Sequence, residues 1–476
     1  MDLSRDRTAL WRSLSTSDTG RAAGLAVAVI AANVIALAFT IVFARVLGAG
    51  GYGSLAVLMS AFIILMVPGS ALQIAVAREV SRAVAGGSED AGAGVRHWIG
   101  RLAIATVVVA AVSIPLREVI AATVNVDEAW AAAGVPVTAM LWMLIAVERG
   151  ALQGFEEYRT VGVSIVAEAG ARLLFGLALV GVGLDVTGAF LGTPLSLLAV
   201  GAALAVPLHR HLPRPHGAFG SARLRELLLG AWAPVLGLTL LFVLQEVHVI
   251  VVKHEASDDA AGSYAVAAVA AKAIIWVAVG LGLFLLPEAA RRAKVGVDAQ
   301  PVLLRTLGLI ALLGVPMVLL YAVAAEPLLR IVFGDDLTEA ASALPWLGVA
   351  MTLLAWSYLS VQYLLGVGRA GFIPILAVAA LAEIGLLAAI GADLEQIAVA
   401  LMGVQLACAA VILTLSFRTR VGPAEPLHGV VAEPLDLDVA ASEIPVEDAH
   451  AARVPRAVRF GFRRHRAEPS DNELGA

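Results

Sequence analysis

Charge is scarce in this chain. Asp, Glu, Lys and Arg make up 15% of its 476 residues, against 60% hydrophobic residues. An ordinary water-soluble globule carries about 25% charged residues, so that class is excluded. Cysteine is nearly absent: the single Cys408 excludes an intrachain disulfide and a cysteine-held metal cluster. Missing altogether are a G-x-x-x-x-G-K-[ST] phosphate loop, an H-E-x-x-H pair and any inter-span loop long enough for a nucleotide-binding domain. ATP is therefore not expected as a direct energy source, and no cofactor or metal is expected. Nothing points to nucleic acid as a partner.

What the chain has in abundance is long apolar runs. A run of roughly 20 such residues recurs about every 35 to 40 residues between Ala22 and Leu415. Each is long enough for a hydrocarbon core of about 30 Å, and only helices cross it without closing into a barrel. The expectation is an all-α polytopic membrane protein. Twelve spans are predicted, near 22–43, 54–76, 102–116, 129–147, 161–182 and 186–208, then 227–252, 264–286, 302–323, 344–365, 372–390 and 397–415. The third is short and needs residues from its flanks.

Arginine placement predicts sidedness. One set of loops holds Arg78, Arg82, Arg96, Arg101, Arg149, Arg159, Arg210, Arg291, Arg292, Lys294, Arg369 and Arg418, whereas the other holds only Arg45, Arg117, Lys253 and Arg330. Short Lys- and Arg-rich loops stay cytoplasmic, so both termini are expected there, in the cytoplasmic membrane. The N-terminus carries Arg5, Arg7, Arg12 and Arg21 before a full-length span and reads as uncleaved. After Arg420 the composition turns to Pro, Ala, Glu and Asp, with a basic patch from Arg456 to Arg466, which predicts a disordered cytoplasmic tail.

The two halves look alike. Phe43-Ala44-Arg45 ends the first span before a glycine-rich turn to Tyr52-Gly53, and Val251-Val252-Lys253 ends the seventh before a turn containing Asp258, Asp259 and Gly262. Six spans per half make this a parallel repeat about an axis along the membrane normal. The predicted organisation is a cytoplasmic segment 1–21, a bundle 22–208, a linker 209–226, a second bundle 227–417 and the tail 418–476.

The string Ala44-Arg45-Val46-Leu47-Gly48 with Tyr52-Gly53 resembles the first outer turn of polysaccharide flippases in the multidrug/oligosaccharidyl-lipid/polysaccharide exporter superfamily. Leu152-Gln153-Gly154 with Tyr158-Arg159, the stretch from Asp258 to Tyr264 leading to Pro287, and Glu326-Pro327-Leu328 to Phe333-Gly334 are similar to the same family. The resemblance covers almost all of the chain up to Arg420. It implies two six-helix bundles in a V around a central cavity, and export of a lipid-linked oligosaccharide by alternating access. A cation-coupled multidrug exporter is the alternative within that superfamily. A membrane-embedded glycan ligase or polymerase is the rival of another class, and it would need a large outer loop with clustered Arg and His.

Ionisable residues inside spans cost about 2.5–3.5 kcal/mol each on insertion scales, so they mark a cavity or a partner. Lys272 lies about 12 Å along its span from Tyr264 with no acid within a helical turn, an unpaired cation suited to a pyrophosphate. Snorkelling, or a glutamate on a neighbouring helix, is the plainer reading. Arg172 sits deep in the fifth span with Glu168 one turn before it, in the favourable acid-first order. That spacing serves a neutral lock or a guanidinium fork for phosphate, and both stay open. Glu246 and Glu383, with Glu168, are candidates for coupling to a proton or sodium ion, or for salt bridges, for instance with Lys272. Arg45 and Lys253 occupy equivalent helix ends, where they complement the helix dipole or serve an outer gate. The expected partners are a polyprenyl-pyrophosphate-linked glycan, membrane lipids and other polysaccharide-assembly proteins.

Overall fold

In the core of a bilayer a backbone amide finds no water, so each crossing must close its own hydrogen bonds. The computed structural model describes residues 18–86, 93–212 and 232–419, and among them every regular element is helical. The N-terminal segment, the linker, the tail with its basic patch and the start of the seventh span at 227 lie wholly or largely outside the described residues.

The first half opens with α1 (Asp18–Ala85), 68 residues long. Straight, it would measure about 100 Å, far beyond one hydrocarbon core. It is two spans: at Gly48 the backbone takes φ 69° and ψ −176°, and the chain turns back. A Cβ is strained at that φ, which is why a glycine holds the turn. Then follow α2 (Ala93–Ser113), α3 (Arg117–Val124), α4 (Ala129–Gly154), α5 (Tyr158–Gly181) and α6 (Asp185–His211). The short third span is completed from its start, at Ala93, and stops at Ser113 because Pro115 disfavours helical geometry just before it. Helix α3 was not expected. It ends on Asn125, whose left-handed backbone (φ 52°) returns its N–H to the Ala121 and Ala122 carbonyls.

The second half comprises α7 (Trp232–Glu255), α8 (Asp258–Ala271), α9 (Ala273–Lys294) and α10 (Gln300–Phe333). Two 3₁₀ turns, Asp335–Leu337 and Glu339–Ser342, lead to α11 (Leu344–Gly366), α12 (Ile373–Ile390) and α13 (Leu394–Arg418). Asp393 caps α13 by accepting from the Glu395 and Gln396 N–H groups at 3.1 and 3.0 Å. Helix α10 bends at Ala324 (φ −133°), where Pro327 lacks the N–H of the next turn. Among the described residues, eleven segments are long and apolar enough to cross a membrane, and the first of them holds two crossings, which gives the twelve expected. The chain is a multi-pass membrane protein. The crossings alternate, so Arg45, Lys253 and the 3₁₀ turns share one face, here the Arg45 face. The opposite face, which carries residues 85, 211 and 418, is the terminal face.

Large aliphatic side chains such as Val107, Leu174, Leu312 and Val323 point out of the protein, where acyl chains would lie. Lipid is as apolar as leucine, so association between helices rests on close packing of small residues instead. At the α5–α6 contact, a Cβ on Gly192 would stand only 2.6 Å from the Gly176 nitrogen. Across the middle of the molecule, α1 packs on α7 and α8. There Gly53 meets Gly262: a Cβ on Gly53 would lie 2.9 Å from the Gly262 nitrogen, and one on Gly262 would collide with the Ala49 carbonyl. The two turns equated by the sequence repeat therefore face each other, as a two-fold axis along the membrane normal requires.

Candidate functional site: a charged cavity between the bundles

Beneath that contact lies a cavity of about 200 Å³, walled by both arms of α1 and by α5 on one side, and by α7, α8 and the first turn of α9 on the other. Its walls are mostly apolar. The polar groups reaching it include Ser60, Arg172, Gln245, Glu246 and Lys272, with Trp276 below.

Lys272 occupies a break in the eighth span. It ends α8 and precedes α9, with its N–H bonded to the Ala268 carbonyl at 2.9 Å and its own carbonyl accepting from the Ile275 N–H at 2.9 Å. Contrary to the sequence expectation, Lys272 is not unpaired. Its Nζ lies 2.7 Å from Glu246 Oε2, an acid supplied by α7. The same oxygen accepts the Ser60 hydroxyl at 2.7 Å, and Glu246 Oε1 accepts from the Gln245 amide at 2.9 Å. Glu246 is only 2% exposed and Lys272 7%. An isolated charge so deep would be prohibitive, and this mutual neutralisation is what keeps both groups there.

Arg172 also departs from expectation. Glu168 turns away from it to Arg149 of α4, with Arg149 Nη2 to Glu168 Oε2 at 3.0 Å. Arg149 further donates from Nε to Ser164 Oγ and from Nη2 to the Ser164 carbonyl, both at 3.0 Å. The neutral lock exists, but between α4 and α5 rather than along α5. Arg149 had been read as a cytoplasmic loop residue, whereas it is buried in α4. The apolar run before it breaks at Glu148-Arg149, so a hydropathy window closes there although the helix continues to Gly154. Freed from Glu168, Arg172 points into the cavity. Its guanidinium carbon sits 5.3 Å from the centre of the Phe39 ring, and its buried Nε has no hydrogen-bond partner among the described residues.

Glu383 lies outside the cavity lining, fully buried in α12. Gln405 of α13 donates to its Oε2 at 3.1 Å, while Oε1 has no partner among the described residues. Between it and the cavity, His248 Nδ1 lies 3.0 Å from the Tyr264 hydroxyl. Gln362, Gln73 and Gln153 make helix-to-helix or local contacts, as membrane amides commonly do: Gln73 donates to Gln153 across α1 and α4 at 3.3 Å. Ser60 was not singled out from sequence, because a serine in an apolar run carries no signal of its own.

On the Arg45 face, the two equivalent cations have unlike side-chain roles. Arg45 reaches from the first bundle to the second, donating to the Ile331 carbonyl at 2.6 Å and to the Val332 carbonyl at 3.0 Å. Lys253 pairs with Asp258 in its own bundle, and its carbonyl accepts from the Asn125 amide of the first bundle at 2.6 Å. The end of the first span is thus tied to the end of the ninth, and the end of the seventh to the end of the third. Both ties obey the same repeat.

The family model described as polysaccharide biosynthesis protein matches residues 22–284 of the chain. No curated protein sequence matches. Among solved structures, an inward-facing multidrug resistance MATE family transporter of the MOP superfamily aligns with a TM-score of 0.68 at 13% identity, over 81% of this chain and 94% of its own. A MOP superfamily transporter from Pyrococcus furiosus, described by the reversed polarity of its binding pocket, aligns with a TM-score of 0.60 at 14% identity, over 85% and 96%. MATE in its straight conformation aligns at 0.58 and 14%, over 83% and 93%. These likenesses show the fold of two six-helix bundles, and the match over more than half of the chain settles its kinship. The chain belongs to the polysaccharide biosynthesis protein family, on the fold of MOP-superfamily transporters.

Proposed function

We propose that the protein is a flippase that carries a polyprenyl-pyrophosphate-linked glycan across the cytoplasmic membrane by alternating access, with no covalent chemistry. The observation that carries this reading is Arg172: a deep guanidinium, facing the cavity, with an unpartnered Nε. Guanidinium forks bind phosphate oxygens in pairs, whereas a cationic drug would be repelled. Lys272 is a second phosphate contact only once Glu246 releases it. The arginine-rich terminal face is assigned to the cytoplasm, with both termini, and the Arg45 face to the outside. With the Arg45 face tied shut, the structure then represents a state closed to the outside. Arg45 and Lys253 serve the outer gate, and Glu383, with one oxygen unpartnered, is assigned to coupling with a proton or sodium ion. Glu168 is committed to Arg149 and drops out of that role. A cavity of about 200 Å³ is sized for a diphosphate rather than for a glycan, so the sugars are expected to enter as the bundles separate.

The test is translocation of a fluorescent polyprenyl-pyrophosphate glycan in proteoliposomes by wild type, Lys272→Ala and Arg172→Ala. Transport by wild type that is lost in a folded Arg172→Ala variant supports the reading. Export of organic cations without lipid transport would move the protein to the multidrug branch.

A further inference from the structure

Glu246 Oε2 holds two groups at once, the Lys272 ammonium of its own half and the Ser60 hydroxyl of the other, each at 2.7 Å. The other hydrogen bonds described between the bundles lie at the Arg45 face, from Arg45 and from Asn125. Ser60 to Glu246 is thus a tie between the bundles made inside the cavity, and it ends on the carboxylate that neutralises the cavity lysine. A carboxylate bonded to an ammonium and a hydroxyl uses the same donors as a phosphate oxygen would. At Lys272, Glu246 Oε2 takes the place that an oxygen of an anionic ligand would take.

We infer that Ser60 and Glu246 form an occupancy latch: an anionic ligand that takes Lys272 displaces the Glu246 carboxylate, and that displacement releases Ser60 and with it the bundle-to-bundle tie in the cavity. The inference rests on the reading of the cavity as an anion site. The cavity lysine is satisfied by an internal mimic of the ligand, and the same mimic holds the halves together. Arrival of the ligand and loosening of the Arg45 face become one event. A ligand can shift a conformational equilibrium only through contacts that differ between the two states. Ser60 supplies that difference, since its bond exists only while Glu246 is held at Lys272.

The experiment uses the full chain in detergent, titrated calorimetrically with inorganic pyrophosphate, with spin labels on Val182→Cys and Ala392→Cys to report separation of the halves at the Arg45 face. Wild type is expected to bind and to show longer label distances on binding. Glu246→Gln, which removes the competing charge, should bind pyrophosphate about tenfold more tightly, the scale of one hydrogen bond to a charged group. Ser60→Ala should show the longer distances before any ligand is added, and Ser60→Thr, which keeps the hydroxyl, should restore the wild-type distribution. If wild type binds but Ser60→Ala matches it in both affinity and distances, the latch is overturned while the anion site stands. If neither wild type nor Glu246→Gln binds pyrophosphate, the anion site falls, and the latch with it.

Discussion

Replacing Arg149 by methionine removes the hydrogen-bonded partner of a buried carboxylate. The Arg149 and Glu168 side chains are 3% and 11% exposed, so water does not substitute for the lost ammonium-like charge. Breaking one side of a buried pair costs about 3–5 kcal/mol, and the Ser164 carbonyl loses a donor worth about 1 kcal/mol more. Removing both members, as Arg149→Met with Glu168→Leu, leaves no charge of the pair buried and should recover all but about 2 kcal/mol, since apolar replacements of a whole pair are often near neutral. With singles of about 4–6 and 3–5 kcal/mol and a double of about 2, the double-mutant cycle should then show a coupling of at least about 5 kcal/mol. Thermal midpoints in lipid nanodiscs, followed by tryptophan fluorescence, give the order of the variants. At about 1 °C per kcal/mol for a chain of this size, each single change should lower the midpoint by roughly 4–5 °C. The double change should sit above both singles. Losses that simply add would show that Arg149 and Glu168 act independently, and the lock between α4 and α5 would be refuted.

Three further outcomes follow from the geometry. Arg172→Lys keeps the charge but not the fork, so lipid transport should fall about tenfold with the thermal midpoint unchanged; a wild-type rate would remove Arg172 from the phosphate site. A Cβ on Gly50 would lie 3.3 Å from the Asp258 Cβ. Gly50→Cys with Asp258→Cys should therefore cross-link on oxidation and stop transport until reductant is added, whereas a cross-linked protein that still transports would exclude separation of the halves at this face. Gly262→Ala pushes a methyl into the Ala49 carbonyl and should lengthen label distances across the Arg45 face without ligand; an unchanged distribution would mean the helices adjust locally.

Much of the architecture was legible because the bilayer imposes it. Runs of the required length, arginines segregated between alternate loops and a repeated helix end at Arg45 and Lys253 fixed the span count and the parallel halves. What escaped has physical reasons. Charge pairing in a helical membrane protein is settled between helices, and one sequence does not say which spans are neighbours. Glu168 stands one turn from Arg172, yet Arg149 from α4 makes its hydrogen bond; the salt bridge of Glu246 with Lys272, 26 residues away, was one of the sequence alternatives, and the sequence did not choose it. Hydropathy windows also end at the first charge, which hid the buried Arg149 in a presumed loop. Ser60 is invisible for the opposite reason: a hydroxyl in an apolar run matters only through what stands opposite.

The break at Lys272 has a mechanical consequence. Helix α9 beyond it has 22 residues, is about 33 Å long, and starts next to the residue that carries the cavity charge. A rotation of about 10° at the break would sweep the far end, with Arg291, Arg292 and Lys294, through about 6 Å. A bend at the Lys272 backbone would thus have a long arm ending among the basic groups of the terminal face, and a small rotation beside the charge would be geared into a large displacement at the membrane surface.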